Sequence, residues 1–152
     1  FVLNTFIIAN SEVPSGSMEN TIMTGDRVIG SRLSYRFEDP KRGDIAIFRF
    51  PDNEKIYYVK RIIGLPGETV DIVDGKVYIN GSDEPLDEPY IREPMIPEAP
   101  MHFEVPENSY FMMGDNRNYS MDARRWENTY VKREKIIAKV LFRYFPKPGI
   151  LK

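Results

Sequence analysis

Short runs of apolar residues dominate the chain, and Gly, Pro, Asp or Asn residues separate one run from the next. Such runs, rich in Val, Ile, Phe and Tyr and bounded by turn residues, predict β-strands. No long stretch keeps the period of an amphipathic helix, and the best helix candidate is short, at residues 132–136. The chain is therefore predicted to be mainly β. The predicted strands cover residues 27–31, 44–50, 56–63, 69–73, 76–79, 103–105, 109–113 and 137–144.

Two local patterns sharpen this prediction. Residues 44–50 are nearly continuous in apolar side chains, which predicts a strand covered on both faces. Asp74-Gly75 lies between two apolar runs and predicts a hairpin with a type I′ turn, because that turn needs positive φ at both central residues. Asn80-Gly81 predicts a second tight turn soon afterwards.

Residues 82–106 differ from the rest of the chain, because they hold six prolines among scattered apolar residues. Proline lacks the backbone donor that helices and sheet ladders need, so this stretch is predicted to be a long irregular excursion. Two interpretations are open. It is either a surface loop or a flap whose apolar residues face a substrate or a membrane surface.

The first nine residues form an apolar run that also has two interpretations. A helix that spans a bilayer needs about 20 apolar residues, so the run is too short to span. It lacks the basic n-region of a secretory signal peptide. It is therefore either an ordinary buried first strand or the sequence that follows a removed membrane anchor.

The amino-acid composition excludes several classes of protein and of catalytic site. The 152 residues suit one domain, and 41% hydrophobic residues fit neither a disordered chain nor a polytopic membrane protein. A net charge of -2 argues against nucleic acid as the main partner. The absence of Cys excludes thiol catalysis and Cys-based metal sites. Because His102 is the single His, a catalytic site that needs two histidine side chains is excluded as well. A hydrolase of this sequence must take its base from another residue type.

Three groups of residues could take part in catalysis or ligand binding. Ser17 lies in a Pro/Gly-shaped turn, which can expose a hydroxyl and aim backbone N–H groups at an oxyanion, although most such serines only form turns. Lys60 lies inside an apolar strand, where burial would lower its pKa towards that of a general base, although a strand lysine commonly extends to water. Side-chain alternation then points Arg61 to the opposite face, towards solvent. Residues 114–124 are dense in polar groups and predict an internal hydrogen-bond network, without the spacing of a calcium loop.

In order and identity, these motifs resemble those of bacterial type I signal peptidases, which are membrane-anchored Ser/Lys proteases. The resemblance covers almost the whole chain. The motifs that carry it are residues 14–18 (PSGSM), 25–28 (GDRV), 42–45 (RGDI), 60–68 (KRIIGLPGE) and 114–126 (GDNRNYSMDARRW).

The resemblance implies a role for each matching residue. Ser17 is implied as the nucleophile and Lys60 as the general base, which agrees with the chemistry of a chain that has one His and no Cys. The Ser15 hydroxyl and the Ser17 backbone N–H are implied as the oxyanion hole. The other implied site residues are Ser120, which orients the base amine, the supporting ion pair of Asp122 with Arg124, and the structural Asp115.

The resemblance also implies an architecture. We expect antiparallel sheets that form a catalytic core like that of signal peptidases and LexA-type repressors, from residues 1–64 and 107–152. Residues 65–106 are expected to form a small, cap-like β-rich insertion with the Pro-rich loop, as short as in Gram-positive members. The family's membrane segment should lie just upstream of Pro14, so we expect a transmembrane anchor that precedes residue 1 and is absent from this sequence.

The implied function is a serine endopeptidase that removes N-terminal signal peptides from exported preproteins, at sites of the Ala-x-Ala type. The substrate would bind as an extended strand, with small side chains in shallow apolar pockets. The residues at matching pocket positions, each of which could instead be plain core packing, are Val13, Pro14, Met18, Ile22, Val28, Tyr58 and Val59.

We expect the catalytic domain to work at the membrane surface on the extracytoplasmic side, without a cofactor, a metal ion or nucleic acid. Two alternatives stay open. One is a self-cleaving protease of the LexA type, although the chain has neither a helix-turn-helix pattern nor a basic face. The other is a catalytically silent β-domain that binds exported peptides or cell-wall components.

Overall fold

Strands make up most of the regular structure in the computed structural model, which describes residues 6–9, 16–19, 21, 27–145 and 149–151. The strands are β1 (Phe6–Ala9), β2 (Arg27–Ser31), β3 (Ile45–Phe50), β4 (Asn53–Gly64), β5 (Thr69–Val73), β6 (Lys76–Ile79), β7 (Met101–Glu104), β8 (Ser109–Met113), β9 (Val131–Lys132), β10 (Ile136–Phe145) and β11 (Gly149–Ile150). One short helix, α1, covers Ser34–Phe37, and 3-10 turns lie at Gly16–Met18, Arg117–Tyr119 and Arg133–Lys135. The predicted mainly β class is confirmed.

The strands form two antiparallel sheets. The large sheet has the order β1-β2-β10-β3-β4-β8-β9, with β11 paired to β10, and the small sheet has the order β6-β5-β7. Strand β4 is long enough to pair with β3 along its first part and with β8 along its last part. Lys60 pairs with Ala46 of β3, and the next residue, Arg61, pairs with both β3 and β8, which places the two residues in the interior of the large sheet.

The two sheets share one hydrophobic core. Val70, Ile72 and Val77 of the small sheet pack in the same cluster as Ile62 and Phe111 of the large sheet. A second, smaller cluster, made by the first 3-10 turn with β2, β3 and β10, consists of Met18, Val28, Ile45, Ile47, Ala138 and Val140. The division into a core and an insertion at residues 65–106 stays a prediction, because the small sheet has no separate core among the described residues.

Most local predictions hold. Asp74 and Gly75 have φ of 52° and 75°, and Asn80 and Gly81 have φ of 52° and 70°, so both tight turns are confirmed. The four residues from Ile45 to Phe48 are buried, as expected for a strand covered on both faces. The short helix candidate at residues 132–136 forms only as the 3-10 turn Arg133–Lys135, which ends where β10 begins.

The Pro-rich segment is irregular up to residue 100 and ends in strand β7. Near the start of the chain, Phe6–Ala9 form strand β1 and pair with β2. The interpretation that a removed membrane anchor precedes this run stays a prediction. Residues 1–5 lie outside the described part. None of the helices in the described ranges is both long and apolar enough to cross a bilayer.

Candidate active site

The centre of the site is a contact between Ser17 and Lys60. The 3-10 turn Gly16–Met18 presents the Ser17 hydroxyl, and strand β4 presents the Lys60 amine from the middle of the large sheet. Lys60 Nζ lies 2.6 Å from Ser17 Oγ, a short hydrogen-bond distance. Both residues are buried, with exposed fractions of 3% for Ser17 and 4% for Lys60. The fold therefore joins two residues that are 43 positions apart.

Burial changes the acid–base chemistry of Lys60. It lowers the pKa of the amine from 10.5 to about 8, because a buried ammonium loses its hydration, and the Asp122 carboxylate only partly opposes this shift. The Tyr58 ring centroid lies 5.2 Å from Lys60 Nζ. At pH 7 about a tenth of the molecules would then hold a neutral amine that can accept a proton.

The turn that carries Ser17 is held by the loop that follows β8. Asn116 donates its backbone N–H to the Ser17 carbonyl at 2.8 Å and its side-chain amide to the Gly16 carbonyl at 2.8 Å. The Asp115 carboxylate accepts the Thr21 hydroxyl at 2.5 Å. These bonds fix the backbone on both sides of the Ser17 hydroxyl.

Gly114 allows this loop to approach closely. A Cβ at Gly114 would lie 2.1 Å from Ser120 Oγ and 2.5 Å from the Ser17 carbonyl oxygen, so no side chain fits between them. Ser120 Oγ is buried and has no hydrogen-bond partner among the described residues. No hydrogen bond joins Ser120 to Lys60 among the described residues, and the orienting role that the resemblance implies for Ser120 stays a prediction.

Asp122 and Arg124 form the ion pair that was expected, with Arg124 Nε 2.8 Å from Asp122 Oδ1. Asp122 is fully buried and also accepts the Gly114 N–H at 3.0 Å. Arg124 donates to the Arg117 carbonyl at 2.7 Å. The pair thus braces the loop that holds Ser17 and places a carboxylate near Lys60.

The prediction that Arg61 faces solvent is wrong. Its exposed fraction is 1%, and its guanidinium binds both oxygens of Asp115, at 2.9 and 2.7 Å. It also donates to the Gly43 carbonyl at 2.7 Å and lies over the Tyr90 ring, 3.9 Å from its centroid. Alternation does send Arg61 to the face opposite Lys60, but the Pro-rich segment covers that face.

The expected substrate-contact residues divide into two groups. Val13, Pro14 and Ile22, and the expected oxyanion residue Ser15, lie outside the described residues. Among the others, Met18 and Val28 are buried in the small core cluster, Val59 packs against that cluster, and Tyr58 stacks on Phe50 with ring centroids 4.2 Å apart. A pocket-lining role stays a prediction for all of them.

Sequence reasoning did not find the contacts from the Pro-rich segment to this site. Glu88 forms a bidentate ion pair with Arg117, and Tyr90 covers Arg61. The sequence feature that could have indicated these contacts is Glu88-Pro89-Tyr90, which places a charged and an aromatic residue within the Pro-rich segment.

The chain is similar to several known proteins. The family model described as signal peptidase, peptidase S26, matches residues 1–145. A probable signal peptidase I-2 from Synechocystis is 40% identical, over 97% of this chain and 68% of that protein. The chloroplastic thylakoidal processing peptidase 1 of Arabidopsis thaliana is 35% identical, over 88% of this chain and 41% of that protein.

A solved structure is also similar. The crystal structure of a signal peptidase I from Enterococcus faecalis has a TM-score of 0.57 and 35% sequence identity, over 67% of this chain and 97% of that one. The chain therefore belongs to the signal peptidase family, peptidase S26, which confirms the resemblance, the mainly β fold class and the assignment as a signal-peptide-removing serine endopeptidase.

Proposed function

We propose that Ser17 is the nucleophile and Lys60 the general base with which this chain cleaves signal peptides from exported preproteins. The observation that carries the proposal is the 2.6 Å contact between the two side chains inside a buried site. A serine hydroxyl is a weak nucleophile until a base removes its proton, and a lysine becomes such a base when burial lowers its pKa.

In the first half of the reaction, Ser17 Oγ forms a bond to the scissile carbonyl carbon while its proton moves to the neutral Lys60 Nζ. The carbonyl oxygen becomes an oxyanion. When the C–N bond breaks, Lys60 returns the proton to the departing amine of the mature protein. The signal peptide is left as an ester on Ser17.

The second half uses water. A water molecule adds to the ester carbon as Lys60 takes its proton, and the proton then passes to Ser17 Oγ as the ester bond breaks. The signal peptide leaves as a carboxylic acid, which loses its proton to solvent, and both side chains return to their starting states.

We assign stabilisation of the oxyanion to the Ser17 backbone N–H and the Ser15 hydroxyl. The support is the family motif at residues 14–18 together with the 3-10 turn that shapes the backbone around Ser17. Loss of one such donor typically costs about 2.7–4 kcal/mol in the transition state.

The substrate is proposed to be an extended peptide with small side chains before the cleaved bond. Val13, Pro14, Met18, Ile22, Val28, Tyr58 and Val59 are the proposed pocket residues. Backbone pairing would supply affinity, and shallow apolar pockets would select small side chains at alternate positions.

We further propose that residues 65–106 act as a cap on the catalytic core and that a single-pass anchor upstream of residue 1 holds the enzyme at the extracytoplasmic membrane surface. The support is the family resemblance, in which such a segment precedes the motif at residues 14–18. Nucleic acid has no place in this proposal.

The test is cleavage of a precursor with an Ala-x-Ala site. We expect the unsubstituted chain to release the mature protein, and Ser17→Ala and Lys60→Ala to lose at least about a thousandfold in kcat/KM, because both act as one unit. Mass spectrometry of the products identifies the cleaved bond. Lys55→Ala is the matched control, because Lys55 lies exposed on the same strand, and it should keep full activity.

The same assay separates the alternatives. A precursor that binds but stays intact with the unsubstituted chain would indicate a silent peptide-binding domain. A chain that shortens itself while the precursor stays intact would indicate a self-cleaving protease. Either result contradicts the proposed function.

A further inference from the structure

Part of the Pro-rich segment runs along the loop that holds Ser17, and we call residues 88–96 the strap. A turn at residues 89–90 and a bend at residues 92–93 interrupt the strap, and its contacts come from both side chains and backbone groups. The strap residues that contact the loop or its neighbours are Glu88, Tyr90, Arg92, Glu93, Pro94, Met95 and Ile96.

Glu88 and Arg117 form the most buried of these contacts. Arg117 donates to both oxygens of Glu88, at 3.0 Å for Nη1 and through a shorter bond for Nη2. The side chains are 0% and 6% exposed for Arg117 and Glu88. A buried guanidinium needs a counter-charge, and no other carboxylate of the described residues contacts that of Arg117.

Tyr90 joins this pair to the other arginine of the site. Its hydroxyl donates to Glu88 Oε2 at 2.9 Å, and its ring faces the guanidinium of Arg61 at 3.9 Å and that of Arg117 at 6.0 Å. Glu88 and Asp115 thus neutralise two arginines that lie near the same aromatic ring.

The strap reaches the nucleophile in one further step. Arg117 Nε donates to the Gly114 carbonyl at 2.9 Å, and Arg92 donates its backbone N–H to the Asp115 carbonyl at 3.1 Å. The same loop binds the Ser17 carbonyl through Asn116 at 2.8 Å. Farther along the strap, Ile96 N–H and the Pro94 carbonyl bind the Asn118 side-chain amide at 2.8 and 3.1 Å.

We propose that the strap is a positioning element for the nucleophile and that Glu88 is its main positioning residue, acting through Arg117 and residues 114–116 on the Ser17 turn. Glu88 touches neither reacting atom. Its role is to keep the loop, and therefore Ser17 Oγ, within proton-transfer distance of Lys60. The inference rests on the proposed roles of Ser17 and Lys60.

The test compares Glu88→Gln with Glu98→Gln. Gln keeps the shape of Glu88 but removes the charge that compensates Arg117. Glu98 lies in the same Pro-rich segment and pairs with Arg125 at 2.6 Å, but both side chains are nearly half exposed and the pair does not touch residues 114–118 in the described contacts. It is therefore a matched control for the loss of one carboxylate.

We expect Glu88→Gln to lower kcat for precursor cleavage by about tenfold or more and to leave KM within about twofold, because a small displacement of a catalytic group lowers the rate of chemistry without removing a substrate contact. Glu98→Gln should match the unsubstituted chain in both constants. A merely structural role would lower the melting temperature and the folded fraction, while kcat per folded molecule stayed the same.

Asn118→Ala gives a second test, because it releases the other end of the strap at a half-buried position. It should lower kcat at unchanged KM. If Glu88→Gln does not fold, Asn118→Ala alone tests whether the strap positions the nucleophile. A kcat within about twofold of the unsubstituted chain in the folded variants, or a loss confined to KM, would overturn the inference. An unsubstituted chain without activity would instead overturn the proposed function.

Discussion

Lys60 is the one buried lysine among the described residues, and its surroundings set both its charge and its use. Strand β4 also carries Lys55, whose side chain is exposed. The two lysines differ in environment and not in covalent chemistry, so the lowered pKa of Lys60 comes from the fold. The pH dependence of activity therefore measures how far burial lowers the pKa of Lys60.

The catalytic rate should therefore rise with pH. The base works only when neutral, and burial lowers the pKa of Lys60 to about 8. Below that value kcat/KM should rise about tenfold per pH unit, and above it the profile should level off. The measurement is kcat/KM for a precursor between about pH 6 and 10, with Lys55→Ala as the control. A profile without an ascending limb would contradict the role of Lys60.

The predicted and observed positions of the Lys60 and Arg61 side chains show what can be inferred from sequence for single residues. Alternation along a strand correctly assigns them to opposite faces. It does not reveal what covers each face. Arg61 is buried because Tyr90 and Asp115, 29 and 54 positions away, lie against it, and nothing in the local sequence of β4 reports that arrangement.

At the scale of elements, the two tight turns provide a natural comparison. Gly75 and Gly81 each follow an Asp or Asn with positive φ and have similar φ themselves, 75° and 70°. They differ in what surrounds them. A Cβ at Gly75 would lie 2.6 Å from the Met95 carbonyl oxygen in the strap, whereas nothing lies within 4 Å of a Cβ at Gly81.

Gly81→Ala should lower the free energy of unfolding by about 1–2 kcal/mol, the cost of a left-handed conformation for a residue with a side chain. Gly75→Ala should cost about 1–3 kcal/mol more, because the strap must also move away from the new methyl group. Urea unfolding of both variants measures the difference. Equal losses would show that the strap does not pack tightly on this hairpin.

Local signals were sufficient for the hairpins and for most strands, because positive φ and apolar patterning are properties of a few neighbouring residues. They were insufficient at residues 132–136, where the chain makes one 3-10 turn before entering β10. Pairing of Ile136 with Phe48 of β3 there outweighs the local preference for a helix. The contacts of the strap could not be predicted from local sequence either, because its partners lie elsewhere in the chain.

For the whole molecule, the site has a cost in stability. A buried lysine with a pKa near 8 in the folded state and 10.5 when exposed makes the folded state less favourable by about 3 kcal/mol at pH 7. Below pH 8 both states hold the proton and the full penalty applies. Between pH 8 and 10.5 the unfolded state binds more protons, so this penalty shrinks as pH rises.

Lys60→Met should therefore abolish activity and stabilise the protein. The expected gain at pH 7 is about 2 kcal/mol, since the lost hydrogen bond to Ser17 offsets about 1 kcal/mol of the relief. The gain should fall to about zero near pH 10, because the lysine is then neutral in the folded state and partly deprotonated in the unfolded state, so the remaining penalty only matches the lost hydrogen bond. Denaturant unfolding at pH 7 and 10 measures it, with Lys55→Met as the control. A loss of stability at pH 7 would contradict the buried, destabilising lysine.

The partners of the Ser17 turn come late in the chain. Asn116 follows Gly16 by 100 positions, and Asp115 follows Met18 by 97 and Thr21 by 94. A chain is synthesised from its N-terminus, so the ribosome exposes the serine long before it has made the residues that hold it in place. A nascent chain that ends before residue 114 lacks all of these contacts. The order of synthesis thus withholds a braced nucleophile until the loop that begins at residue 114 has been made.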